Sequence, residues 1–148
     1  MNRKKLALAA VVIVAVGAAA LAVFSQDPAH APMEQARSAP AEGAAIVQVT
    51  VPPLEGRAAM GELAFNAKCA ACHGENAAGR QGKGPPLIHK YYEPSHHGDM
   101  AFRLAPQQGV RAHHWKFGNM PPVEGLTEAD IGAIIAYVRT VQKANGIF

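Results

Sequence analysis

The hydrophobic pattern changes character several times along the chain. Leu6–Phe24 is apolar without a break for 19 residues, and as a helix it would reach about 28 Å. From Ser25 to about Gly43 the hydrophobic period disappears and Ala and Pro dominate, which is the composition of a linker. Ile46–Val51 has strand character but ends at Pro52-Pro53. It reads either as an extended arm on a domain or as the end of a tether. Beyond it, Gly61, Phe65 and Cys69 fall at i, i+4 and i+8, one stripe of a helix. Asp99–Gln108 reads as a short helix interrupted by Pro106 and ended by Gly109. Ile131, Ile134, Ile135, Val138 and Val141 then recur at helical spacing. Thr127 and Asp130 give that helix a capping box, and Asn145-Gly146 gives it a stop. The organisation is an apolar segment at 1–24, a linker with a short extended arm at 25–56, and a domain at 57–148. There is no internal repeat.

A length of 148 residues suits one ordinary domain. Charged residues make up 17% and apolar residues 49%, which excludes a disordered polyelectrolyte. The formal charge of +3 is carried by Arg3, Lys4 and Lys5, because the other Lys/Arg balance the 11 Asp/Glu. The chain is therefore not read as a nucleic-acid binder. A basic stretch ahead of an apolar run marks an export segment. A cleaved signal peptide could be cut near Ala18-Ala19-Ala20 or Ala20-Leu21-Ala22. A retained anchor is favoured by length, although eight of the 19 residues are alanine. Both readings put the remainder on the periplasmic side of the cytoplasmic membrane, anchored or released.

The two cysteines stand in Cys69-Ala70-Ala71-Cys72-His73. The spacing alone permits a thioredoxin-like pair, a disulfide or part of a zinc site. A zinc site lacks a second ligand pair here, a disulfide leaves His73 without a task, and a redox pair usually follows a strand. On a helical turn the two thiols share a face, and the next histidine lies beside the first. That is the attachment signature of a c-type haem, with His73 as an axial iron ligand.

With this motif in view, the stretch from about Arg57 to Phe148 resembles the small monohaem class I cytochromes c of bacteria, tethered or secreted. The resemblance implies an all-α fold in which the N- and C-terminal helices cross around one covalent haem c. In that family the positions of Gly61 and Phe65 let the first helix pass close over the last, and Ile134 and Tyr137 match the family's Leu-x-x-Tyr pair on the last helix that meets the first. Gly84-Pro85-Pro86-Leu87 is similar to the family's Gly-Pro-x-Leu segment. The resemblance makes the Pro85 carbonyl the acceptor for the haem histidine's ring N–H and packs Leu87 on the haem. A fixed second nitrogen also raises a ligand's basicity, whatever the family.

The second axial ligand is sought among five methionines. Met1 and Met33 lie outside the domain, and Met60 lies on the first helix, on the attachment side. Met120 sits in Gly118-Asn119-Met120-Pro121-Pro122, a stiff loop just ahead of the last helix, and matches the family's distal-ligand pattern. Met100, His113 and His114 are the remaining candidates. Trp115, the only tryptophan, reads either as a donor to a haem propionate or as buried core with another acceptor. Tyr91, Tyr92 and Arg111 are further propionate candidates.

His89, His96, His97, His113 and His114 depart from the general class pattern. They are read first as surface or capping side chains, since paired histidines alone fix no geometry. The other reading is a second metal site, with copper, using His96, His97 and His113 or His114. From Arg57 to Phe148 ten Lys/Arg face seven Asp/Glu. Arg80, Lys83, Lys90, Arg111 and Lys116 come from loops expected around the haem, so an acidic redox partner is the expected client. The expected function is single-electron transport by a monomeric haem domain, outside the class of enzymes. The alternatives are a haem catalyst or gas sensor with open iron, copper handling through the histidines, and a subunit of a larger oxidoreductase.

Overall fold

The computed structural model describes residues 40–148. The apolar run at 6–24, with its signal-or-anchor reading, lies outside the described residues. Among those described, no helix is long and apolar enough to cross a membrane. Among the described residues four α-helices form: α1 Gly56–Lys68, α2 Ala70–His73, α3 Asp99–Gln108 and α4 Glu128–Ala144. Two 3₁₀ turns, Glu75–Ala77 and Lys90–Tyr92, lie between α2 and α3. No strand forms among the described residues, only the isolated bridges Arg80–Gly84 and Val110–Met120.

The two long helices make the frame. At the start of α4 the Thr127 side chain accepts from the Asp130 N–H while the Asp130 carboxylate accepts from the Thr127 N–H, the complete capping box. At its end the Ile147 N–H returns to the Gln142 carbonyl and Gly146 adopts φ 75°, which stops the helix. The apolar stripe of α4 is buried from Ile131 to Val141. Helix α1 crosses it at Gly61. A Cβ on Gly61 would stand 1.9 Å from the Ala133 carbonyl oxygen and 2.9 Å from the Tyr137 Cβ. One turn later Phe65 and Tyr137, both fully buried, pack with ring centroids 5.4 Å apart. Burying Phe65 alone contributes about 2–3 kcal/mol. The expected helix crossing is present, with Ile134 in the same core cluster.

Helix α3 lies against α4, tied by ion pairs from Arg103 to Glu128 and from Arg139 to Asp99. Its Pro106 is inside the helix and Gly109 ends it, as the sequence predicts. The Arg139 guanidinium also lies 4.6 Å over the Phe102 ring. The stretch read as strand or tether is an arm seated on the domain. Ile46 and Val47 N–H groups both donate to the Ala78 carbonyl at 3.1 Å. Val49, Val51 and Leu54 pack against the core. The Thr50 backbone exchanges two hydrogen bonds with the Asn145 side-chain amide, at 2.9 and 2.7 Å. The arm is extended yet joins no sheet, because its partners are a turn and a helix end.

Candidate haem site

The attachment motif is shaped by a break in the helix. Cys69 closes α1 with φ −115°, and α2 restarts at Ala70 for a single turn through His73. The chain then reverses. Gly79 N–H reaches the His73 carbonyl at 2.7 Å, and Asn76 and Ala77 take left-handed φ of 56° and 58°, conformations that strain a non-glycine backbone. Leu87 N–H donates to the Ala77 carbonyl at 2.8 Å, which brings the Pro85–Leu87 segment back under the motif.

The consequence is one specific contact. His73 Nδ1 lies 2.9 Å from the Pro85 carbonyl oxygen. A carbonyl only accepts, so Nδ1 carries the proton and Nε2 keeps its lone pair. Burial holds the His73 imidazole below the ordinary histidine range, which favours the neutral ring. Cys69 and Cys72 are both free thiols. Burial, and then the neighbouring Cys72, push the Cys69 thiol up to about 11. A redox-active pair usually has a lowered thiol pKa, and Cys69 is shifted the other way.

A cavity of about 450 Å³ opens beside this motif, within the range of cofactor sites. Cys69, Cys72 and His73 line it, together with Pro85 and Leu87. Its walls are mostly carbon, from Phe65, Val123, Leu126, Ile131 and Ile134 among others. Met120 lines it as well. Its backbone exchanges two 2.9 Å hydrogen bonds with Val110. Gly109, with φ 75°, lets that pair close, since a Cβ there would stand 2.5 Å from the Met120 carbonyl oxygen. Met100 and Met60 are 62% and 60% exposed and do not line the cavity.

Trp115 also lines the cavity, and its buried indole N–H makes no hydrogen bond of good geometry, with the Tyr92 hydroxyl as its neighbouring acceptor. Tyr92 lines the cavity too, whereas Tyr91 and Arg111 do not. Two thiols, a histidine with a free Nε2, a poorly partnered donor and a carbon-walled space fit a haem.

Of the extra histidines, His89 caps a 3₁₀ turn by accepting from Tyr91 N–H. The other four gather beside the cavity, and His97, His113 and His114 line it. Arg80, Lys83, Lys90, Arg111 and Lys116 are all exposed, and none of them lines the cavity. Lys68 does, holding the Glu124 carbonyl at 3.2 Å.

Two residues that sequence reasoning did not single out position the far wall. Gln142 is fully buried and donates to the Leu87 and Tyr92 carbonyls at 2.8 and 3.0 Å. Arg139 donates to the Tyr92 and His97 carbonyls, to the Gln142 side chain and to Asp99. Arg139 sits beside the apolar stripe of α4, where a polar residue normally means solvent, whereas Gln142 falls on the stripe itself, four residues after Val138, a position that signals burial but not its partners.

No curated protein and no solved structure matches the chain. Residues 58–142 match the family model described as cytochrome c, a span that contains every residue lining the cavity. With more than half of its length covered, the chain belongs to the cytochrome c family as a class I monohaem member, whose domain carries one covalent haem c.

Proposed function

We propose that this protein carries single electrons between redox partners on the periplasmic side of the cytoplasmic membrane. In this reading Cys69 and Cys72 would hold the haem, and His73 Nε2 and the Met120 sulfur would ligate its iron. The observation that carries it is the convergence of these four side chains on one cavity, with the His73 ring already fixed by Pro85.

When bound, the haem supplies the Fe(II)/Fe(III) couple. The chain supplies position and dielectric. Pro85 fixes the imidazole's tautomer and raises its basicity. The Val110–Met120 pair stiffens the distal loop, so both ligands stay in place as the charge changes and little reorganisation is required. The carbon wall excludes water, and a thioether favours the reduced state over bis-histidine ligation. Trp115 offers its indole N–H to a propionate. No bound substrate is altered, so the protein is a carrier. The exposed Arg80, Lys83, Lys90, Arg111 and Lys116 suit an acidic docking face, and the reduction rate then falls as salt rises. A flat salt response rejects that part.

Intact mass and redox-resolved absorption of the mature protein test the whole reading. One added haem and a sulfur-to-iron charge-transfer band in the oxidised state are expected. Met120→Ala removes that band and opens the iron to CO. Colourless protein from cells that install haem c, or rapid CO binding by the parent, overturns the proposal.

A further inference from the structure

Four imidazoles from two loops meet at the edge of the cavity. His96 and His97 come from the turn before α3, and His113 and His114 from the loop after it. His96 Nε2 lies 3.1 Å from His114 Nε2. His97 Nε2 lies 3.4 Å from His113 Nε2. One ring nitrogen each from His96, His97 and His114 falls within 4.8 Å of the others.

The hydrogen bonds on the other side of the rings decide what these nitrogens carry. His97 Nδ1 meets the Tyr91 carbonyl, and His113 Nδ1 meets the Arg111 carbonyl at 2.9 Å. Carbonyls only accept, so both Nδ1 atoms are protonated, and in the neutral rings both Nε2 atoms are bare lone pairs. These two lone pairs face each other at 3.4 Å with no hydrogen between them. Such a pair is repulsive unless a cation joins it. An Nδ1–H held by a backbone carbonyl is also the usual outer support of a metal-binding histidine.

The spacing points the same way. A tetrahedral ion with bonds of about 2.0–2.1 Å to nitrogen separates its ligands by about 3.3–3.4 Å. The two observed pairs, 3.1 and 3.4 Å, match two of that tetrahedron's six edges, and the His96, His97 and His114 nitrogens need to draw in from within 4.8 Å to complete it, with His113 outside that group of three. Nearby carboxylates are already engaged: Asp99 pairs with Arg139 at 2.8 Å, and Glu93 accepts from the Ser95 hydroxyl at 3.0 Å. An all-imidazole set selects against the oxygen-seeking Mg²⁺ and Ca²⁺ and favours zinc or copper. Both loops are braced, the first by Arg139 on the Tyr92 and His97 carbonyls, the second by Asn119 on the Ala112 N–H. His96 and His113 are exposed, so an ion has access.

We propose that His96, His97 and His114, with His113 joining through its contact with His97, form a second metal site, distinct from the Cys69–His73 motif, that takes one zinc or copper ion through imidazole nitrogens. The test uses the haem-loaded full chain, in which the thiols are consumed and cannot bind the added ion. Zn²⁺ and Cu²⁺ are titrated separately by calorimetry, and bound metal is counted after gel filtration. One equivalent is expected, with affinity falling at least tenfold in His97→Ala/His113→Ala and again in His96→Ala/His114→Ala. Haem absorption verifies that each variant is folded. Bound Cu²⁺ is expected to show hyperfine coupling to three or four nitrogens. Uptake well below one equivalent, or equal weak uptake by parent and both variants, overturns the site. So does a variant that shifts the haem potential while leaving metal uptake unchanged, because the histidines then serve the haem.

Discussion

Gly61 and Tyr137 touch at the helix crossing and respond to substitution in opposite ways. The carbonyl that a Cβ at Gly61 would strike belongs to the backbone of α4, which cannot move aside cheaply. Gly61→Ala is therefore expected to destabilise the domain by about 3 kcal/mol, at or beyond the usual overpacking range, as read by denaturant midpoint. Tyr137 is different. Its ring is fully buried, its hydroxyl has no hydrogen-bond partner, and burial pushes its pKa up to about 12. Removing an unpartnered hydroxyl while keeping the ring relieves a desolvation penalty. Tyr137→Phe is expected to leave stability unchanged or to raise it by up to about 1 kcal/mol. A loss larger than that would mean the hydroxyl has a partner after all.

Among the elements, α4 carries most of its own instructions. The Thr127–Asp130 box is visible as two letters three apart, and Thr127→Ala should lower stability by about 1 kcal/mol at neutral pH. Its acid dependence has a definite sign. The Thr127 hydroxyl and N–H donate to the Asp130 carboxylate and hold its pKa below the usual value. A depressed folded pKa gives stability that is present above the unfolded pKa and lost as pH falls through the folded one. Asp130→Asn should thus be the weaker protein at pH 6 and converge on the parent towards pH 2, as thermal melts across that range will show. Signals of this local kind made α1, α3, α4 and the Cys69–His73 turn readable, because cap, stripe and stop lie within a few residues. The Gly84–Leu87 segment was readable only through resemblance. Arg139 and Gln142 were opaque, since their partners at Leu87, Tyr92 and His97 lie some 40 to 55 positions away. The histidines show the same limit. Their types were visible, but the 16- and 18-residue separations that bring their nitrogens together are set by how α3 folds back.

For the whole molecule, the arm determines where the folded body ends. Sequence composition left residues 46–51 open between arm and tether, because a six-residue apolar run says nothing about a partner 95 residues away. Asn145 supplies that partner, and its local role as a helix stop hid the second one. Asn145→Ala should loosen the arm without breaking the haem crevice. Hydrogen exchange at Thr50 is expected to accelerate by at least tenfold while the absorption spectrum is retained. A Thr50 amide that stays protected would show that Val49, Val51 and Leu54 suffice to hold the arm. The clamp also joins the arm to the end of α4, so a pull on the chain ahead of the arm would reach that helix end before it reached the haem crevice.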